Sequence, residues 1–193
     1  MKIHSVLKTF AVVILSSLLF VSCKNNSKEE KSINKKGLDQ NIGDEFRLEN
    51  ILDTAGNAVK LDFTKSEVTI VDFWYNECPP CIEELNQFGS VLAGKENKVS
   101  VISISLNQPW AWNESRAKHA GPFKFFEKKL PNWTHFVLKT KLDSALKNSI
   151  SDDRVTELEE TYNVSFVPAY FIVDKTGKIL QRPESAVGYI KKL

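Results

Sequence analysis

Only three cysteines and three histidines occur in this chain of 193 residues. A structural zinc site needs four ligands, usually supplied as two ligand pairs. Here one close cysteine pair exists, Cys78 and Cys81, and beyond the N-terminal leader only His119 and His135 could join it. They are far apart and lack ligand spacing, so they read as surface or partly buried polar residues, and no metal is expected. Charge of one sign is also scarce: the formal balance is +2, and residues 1–22 carry Lys2 and Lys8 and no acid, so the rest of the chain is neutral. That removes the electrostatic case for binding nucleic acid. There is no internal repeat and no low-complexity block. There is also no apolar run of the ~20 residues that a membrane-spanning helix needs.

What is present begins with "TFAVVILSSLLFV", residues 9–21, behind a lysine-bearing start. Its size and flanks are those of a secretory signal peptide. The run ends in "LFVSC", which resembles the lipobox of bacterial lipoproteins, with Phe20 where that motif usually has leucine. The resemblance implies cleavage after Ser22 and a diacylglycerol on Cys23, with acyl chains holding the protein to a membrane. The rival is an ordinary signal peptide with an incidental cysteine. "KNNSKEEKSINKKG", residues 24–37, is polar and without apolar periodicity, a flexible tether. Its "SKEEK" resembles the export signal of some surface-exposed lipoproteins of Gram-negative bacteria. The expected division is therefore a leader over 1–22, a lipidated Cys23 and tether over 23–37, and one domain over 38–193. The expected location is the cell envelope of a Gram-negative bacterium, on the periplasmic side or the cell surface.

Within the domain, "EFRLENI" and "AVKLDF" around Gly56-Asn57 predict a hairpin. "EVTIVDFWY" and "KVSVISISL" are continuous apolar runs, the pattern of strands covered on both faces. Between them, Ile82, Leu85, Phe88 and Val91/Leu92 recur at helical spacing, with Gly94 as a stop. Strand, helix and strand make a βαβ unit. A helical stretch broken near Gly121-Pro122 follows, then "WTHFVLK" as a short strand and "DDRVTELEETYN" as a helix. "PAYFIVD" and "KILQR" form a hairpin turning at Gly177. A last helix carries Pro183 and Glu184 in its first turn and lysines in its last. The class is α/β.

The cysteine pair sits in "VDFWYNECPPC", residues 71–81, between the first buried strand and the helix. As a structural staple it closes too short a loop to remove much chain entropy. As a peroxidase centre, in the manner of peroxiredoxins, it lacks the proline and threonine seven and three positions before the first cysteine, where Val71 and Tyr75 stand. As a redox centre it places the first sulfur at a helix N-terminus, where free amides and the helix dipole favour a thiolate. Pro79 and Pro80 suit the first helical turn, where a missing N–H costs nothing. They cannot donate, so the first amide able to reach the Cys78 sulfur is that of Cys81.

"VDFWYNECPPC" together with "VSFVPAYFIVDKTGKIL" resembles the TlpA/ResA-like thiol-disulfide oxidoreductases of the thioredoxin fold, over nearly all of residues 38–193. The resemblance implies a thioredoxin fold with an N-terminal β-hairpin extension and a central helical insertion. It implies a redox-active Cys78–Cys81 disulfide, with Cys78 the exposed nucleophile and Cys81 the resolving thiol. It implies a cis Pro168 opposite them, the backbone of Val167 bonding a substrate chain, and a buried acid, Asp72, serving Cys81 as a base. The implied partners are disulfide-containing client proteins and a membrane thiol-disulfide electron donor, with no bound cofactor. Reduction is the expected direction. The sequence departs from the family at Glu77, where a tryptophan commonly stands; a carboxylate there opposes the Cys78 thiolate. Trp74 flanks the motif as packing or as a shield of the disulfide. With Glu77, Pro79, Pro80 and Val167 it completes the candidate substrate surface. Trp110 and Trp112 in the insertion are candidates for a client groove, and Phe123, Phe125 and Phe126 for core. The rivals are a non-catalytic binding lipoprotein on the same fold and a peroxiredoxin-like peroxidase.

Overall fold

A computed structural model describes residues 41–118, 121–139 and 153–193. The leader, Cys23, the tether and His119 lie outside the described residues.

The first apolar run forms strand β3, Val68–Trp74, buried from Thr69 onward, and the second forms β4, Val99–Ser105, buried throughout. They pair in parallel, Val68 opposite Val99 and Trp74 opposite Ser105. Helix α1, Pro79–Val91, connects them and buries Cys81, Ile82, Leu85 and Phe88. β5, Trp133–Leu138, adds parallel to β4. β6, Ala169–Asp174, adds antiparallel to the other side of β3, and β7, Ile179–Gln181, closes that edge. With the short strands β1, Ile51–Leu52, and β2, Ala58–Val59, the mixed sheet has seven strands in the order β2-β1-β5-β4-β3-β6-β7.

Strand alternation divides the core between the two faces. Ile70 and Trp74 of β3 pack with α1, with Phe125 and with helix α4, Ala186–Ile190. Val71 and Phe73 pack on the opposite face with Phe46, Phe171 and the Leu158 and Tyr162 side chains of helix α3, Asp153–Tyr162. Asp72 lies between Ile70 and Trp74, so its side chain points to the α1 face. The central insertion is helix α2, Pro109–Lys118, followed by a 3-10 segment, Gly121–Glu127, whose Phe125 is buried.

Two expectations change. The hairpin strands shrink to two residues each because Phe46 is drawn to the other edge of the sheet. Phe46 stacks on Tyr162 at 4.9 Å, and its amide donates to the Gly177 carbonyl at 2.7 Å. The Asp53 carboxylate collects the amides of Ala55 and Asn57, each at 2.8 Å, and sets the turn. The last helix starts after Ser185, whose hydroxyl accepts the Gly188 amide at 2.9 Å. Pro183 and Glu184 therefore precede the helix, and Lys191 caps it rather than filling its last turn.

Candidate functional site

β3 delivers the chain at its C-terminal end into a turn, Tyr75–Asn76–Glu77, closed by the Cys78 amide donating to the Tyr75 carbonyl at 3.2 Å. Cys78 is the N-cap of α1, with Pro79 and Pro80 as its first two helical residues, both exposed. The Cys78 and Cys81 sulfurs are bonded, with Cα atoms 5.3 Å apart. The Cys81 amide donates to the Cys78 sulfur at 3.3 Å. This is the first amide after the two prolines, so it serves whatever charge the sulfur carries once the bond is open. Cys78 retains 4% of its accessible surface and Cys81 1%, so even the outer sulfur is largely shielded in the oxidised state.

The loop before β6 closes the site from the other side. Val167–Pro168 is a cis peptide bond, and the Val167 carbonyl oxygen lies 3.7 Å from the Cys78 sulfur. Two segments 89 residues apart in sequence thus meet at one sulfur.

Asp72 is 2% exposed on the sheet face that α1 covers, close enough to Glu84 to feel its charge. Its pKa is pushed up from 3.8 to about 8 by burial, against the Ser103 hydroxyl bonded to it and with the Glu84 charge adding to the rise. Its Oδ2 has no hydrogen-bond partner. Ser103 lies opposite Asp72 on β4, and its oxygen accepts the Trp133 indole N–H at 3.0 Å.

Glu84 and Phe166 were not singled out by the sequence. Glu84 accepts from the Tyr170 hydroxyl, from the Ser185 hydroxyl at 2.5 Å and from the Val187 amide at 2.8 Å. It thereby ties α1 to α4. The available signal was its place three residues after Cys81, inside the inward stripe of the helix. The Tyr170 pKa is raised by burial and by the Asp72 and Glu84 charges, so its hydroxyl stays a donor.

A groove of about 520 Å³ opens beside the disulfide, lined among others by Tyr75, Glu77, Asn107, Trp110, Phe166 and Val167. Glu77 is exposed, and the Asn107 side-chain amide reaches its Oε2 at 3.5 Å. Trp110 is 64% exposed in the groove, but Trp112 is 2% exposed and packed under Arg116, whose guanidinium sits 4.7 Å from the ring centre. Trp112 is therefore core and not groove. Trp74 is likewise fully buried, edge-on to Phe125 at 5.5 Å, and no client can touch it. Phe125 is core, and Phe123 and Phe126 pack against it. His135 is half-buried 4.7 Å from the Trp133 ring, and burial with the nearby Arg116 charge pushes its pKa down to about 3.

Comparison with known proteins places these features in a wider group. The AhpC/TSA family model matches residues 41–182. The thiol-disulfide oxidoreductase ResA of Bacillus anthracis is 23% identical over 151 residues, covering 74% of this chain and 73% of that protein. The ResA of Bacillus cereus is 24% identical over 175 residues, covering 86% and 82%. Among solved structures, a thiol:disulfide interchange protein from a Bacteroides species superposes with a TM-score of 0.58 at 21% identity, over 78% of this chain and 86% of that one. The thioredoxin domain of a thiol-disulfide oxidoreductase from Bacteroides vulgatus superposes at 0.56 and 20% identity, over 78% and 96%. The architecture is thus the thioredoxin-like α/β fold, with an N-terminal hairpin added to the sheet.

Proposed function

We propose, for a chain that belongs to the AhpC/TSA family, that it works as a thiol-disulfide oxidoreductase through the Cys78–Cys81 pair. The observation that carries this reading is the position of the Cys78 sulfur. It caps a helix, accepts the Cys81 amide, and opens on the Val167 backbone at the mouth of a groove. The similarity to ResA proteins supports the same chemistry.

In the reducing direction the Cys78 thiolate attacks one sulfur of a client disulfide. The client S–S bond breaks, a mixed disulfide with Cys78 forms, and one client thiolate leaves. Cys81 then gives its proton to the Asp72 carboxylate and attacks the Cys78 sulfur. The Cys78–Cys81 bond forms, and the second client sulfur leaves and is protonated. Two electrons pass to the client. A membrane dithiol donor restores the Cys78–Cys81 dithiol by the same exchange and is itself oxidised to a disulfide. A carboxyl titrating near 8 is well matched to a thiol of ordinary pKa near 8.5, which makes Asp72 a suitable proton acceptor. The clients are exported proteins that hold disulfides, since disulfides persist outside the cytosol.

The test is reduction of insulin with dithiothreitol as electron source. The wild-type chain is expected to accelerate it, and Cys78→Ser is expected to fall to the uncatalysed rate. Equal rates from the two would leave the binding-lipoprotein reading in its place. Faster consumption of hydrogen peroxide than of insulin disulfide would instead favour the peroxidase.

We also propose that the domain is held to a membrane of the cell envelope by lipid on Cys23, across the tether of residues 24–37. This rests on the lipobox resemblance; among the described residues no helix is long and apolar enough to cross a membrane. Detergent phase partition of the protein expressed in a Gram-negative host checks it. The wild type is expected in the detergent phase and Cys23→Ala in the aqueous phase. Identical partition of the two would remove the anchor.

A further inference from the structure

Six large apolar side chains among the described residues are exposed, and three of them, Tyr75, Trp110 and Phe166, line the groove beside the disulfide. They are 38%, 64% and 84% exposed. Three aromatic rings held open to solvent around one cleft mark a surface that another molecule covers. Among the described residues that line the groove, Glu77, adjacent to Cys78, is the one charged side chain. Among the described residues no lysine or arginine lines it. Among the described residues the ion pairs are Arg47–Glu45 and Lys118–Glu114, so Glu77 has no cationic partner there.

The two walls of the groove are built as one unit. The Asn107 side-chain Oδ1 accepts the Asn76 backbone N–H at 2.9 Å, and its Nδ2 points to Glu77. The Asn76 side-chain amide donates to the Ser115 hydroxyl at 2.7 Å, on the helix that carries Trp110. The acid next to the nucleophile and the exposed indole therefore hold fixed relative positions.

Resting on the exchange reading above, we propose that this groove selects client segments in which the attacked cysteine is flanked by a lysine or arginine and an aromatic residue. The cation meets Glu77 across the attacked bond. Its aliphatic stem and the neighbouring ring lie on Trp110, Phe166 and Tyr75. A segment with an acid beside its cysteine meets like charge at the same place and is disfavoured. The departure from the family's usual tryptophan at this position thus becomes a charge filter on clients.

The test uses disulfide-linked peptides that differ only next to the cysteine: Lys-Phe, Glu-Phe and Lys-Gly contexts. The small neutral hydroxyethyl disulfide is the reference. Relative kcat/KM is measured for wild type, Glu77→Gln, Glu77→Lys and Trp110→Ala. The wild type is expected to prefer Lys-Phe over Glu-Phe by about tenfold. Glu77→Gln should bring that ratio near one, and Glu77→Lys should invert it. Trp110→Ala should cut the preference of Lys-Phe over Lys-Gly by roughly fivefold. A change in Cys78 thiolate content moves every substrate, the reference included, by one factor, so the ratios isolate the groove.

Anisotropy of the same labelled peptides with serine in place of cysteine reads binding without chemistry. Reduction of the reference disulfide with equal rates and equal binding for all three peptides overturns the charge filter and leaves the exchange reading standing. No reduction of any disulfide, with the same order of peptide binding, overturns the exchange reading and supports the groove.

Discussion

Replacing Asp72 with asparagine is expected to favour the oxidised protein by about 3–5 kcal/mol more at pH 8 than at pH 4, while slowing client release. The sign follows from where the proton resides. Burial raises the folded-state pKa to about 8 against an ordinary 3.8, so between those values the folded chain holds a proton that the unfolded chain has released. Stability therefore falls as pH rises from about 4 to about 8, and levels off above. Four units at 1.36 kcal/mol each set an upper bound of roughly 5 kcal/mol. The asparagine amide removes the titration, and the cost of burying it is the same at every pH and cancels from that difference. Urea denaturation of both proteins at pH 4, 6 and 8 checks this, because contributions from other groups cancel in the difference. Unfolding curves separated by the same amount at every pH would show that Asp72 is not held protonated by the fold.

The kinetic half of this expectation has the opposite value. Without the Asp72 carboxylate to accept the Cys81 proton, resolution of the mixed disulfide should slow by about 100-fold, the low end for loss of a positioned base. The wild-type rate of that step should rise through pH 8, and the variant should lose this limb. A side chain that weakens the fold and accelerates the reaction trades stability for function, and this one substitution reads both effects.

The parts legible in the sequence were those that local pattern determines. The buried strands β3 and β4 were legible because their apolar runs are covered on both faces, so no competing arrangement alters them. The start of α1 was legible because Pro79 and Pro80 admit few other conformations. The parts that were not legible depend on distant partners. Phe46 belongs to an apparent hairpin strand until Tyr162 and Gly177 claim it from the far edge of the sheet. Trp110 and Trp112 look alike in "QPWAWNE", yet α2 turns one outward and the other inward, under Arg116. Glu84 looks like one of two surface acids in "IEEL" until the Ser185 hydroxyl and Val187 amide, a hundred residues on, converge on it. Phe166 gains meaning only because the Val167–Pro168 turn places it at the mouth of the same groove as Glu77.

Replacing Cys81 with serine is expected to convert the protein from a turnover catalyst into a covalent trap. The two sulfurs are not equivalent. Cys78 faces the Val167 backbone at the groove, and Cys81 is 1% exposed behind it against the apolar stripe of α1. On the proposed exchange a client disulfide meets the first and not the second. Serine at 81 keeps the backbone amide that donates to the Cys78 sulfur at 3.3 Å, so the attacking thiolate retains its stabilising partner. The first exchange should proceed within about threefold of the wild-type rate, since the thiolate and its approach are unchanged. The second cannot occur without a thiol at 81, and catalysed turnover should fall by at least about 1,000-fold. A dithiothreitol-sensitive adduct should accumulate to one client per chain, visible on a non-reducing gel and by mass. In Cys78→Ser the remaining thiol is the deeper one, away from the Val167 backbone, and adducts should be absent on the same time scale. Equal trapping by the two variants would mean that the buried sulfur reaches clients as readily as the helix-capping one, and the assignment of attacker and resolver would be lost.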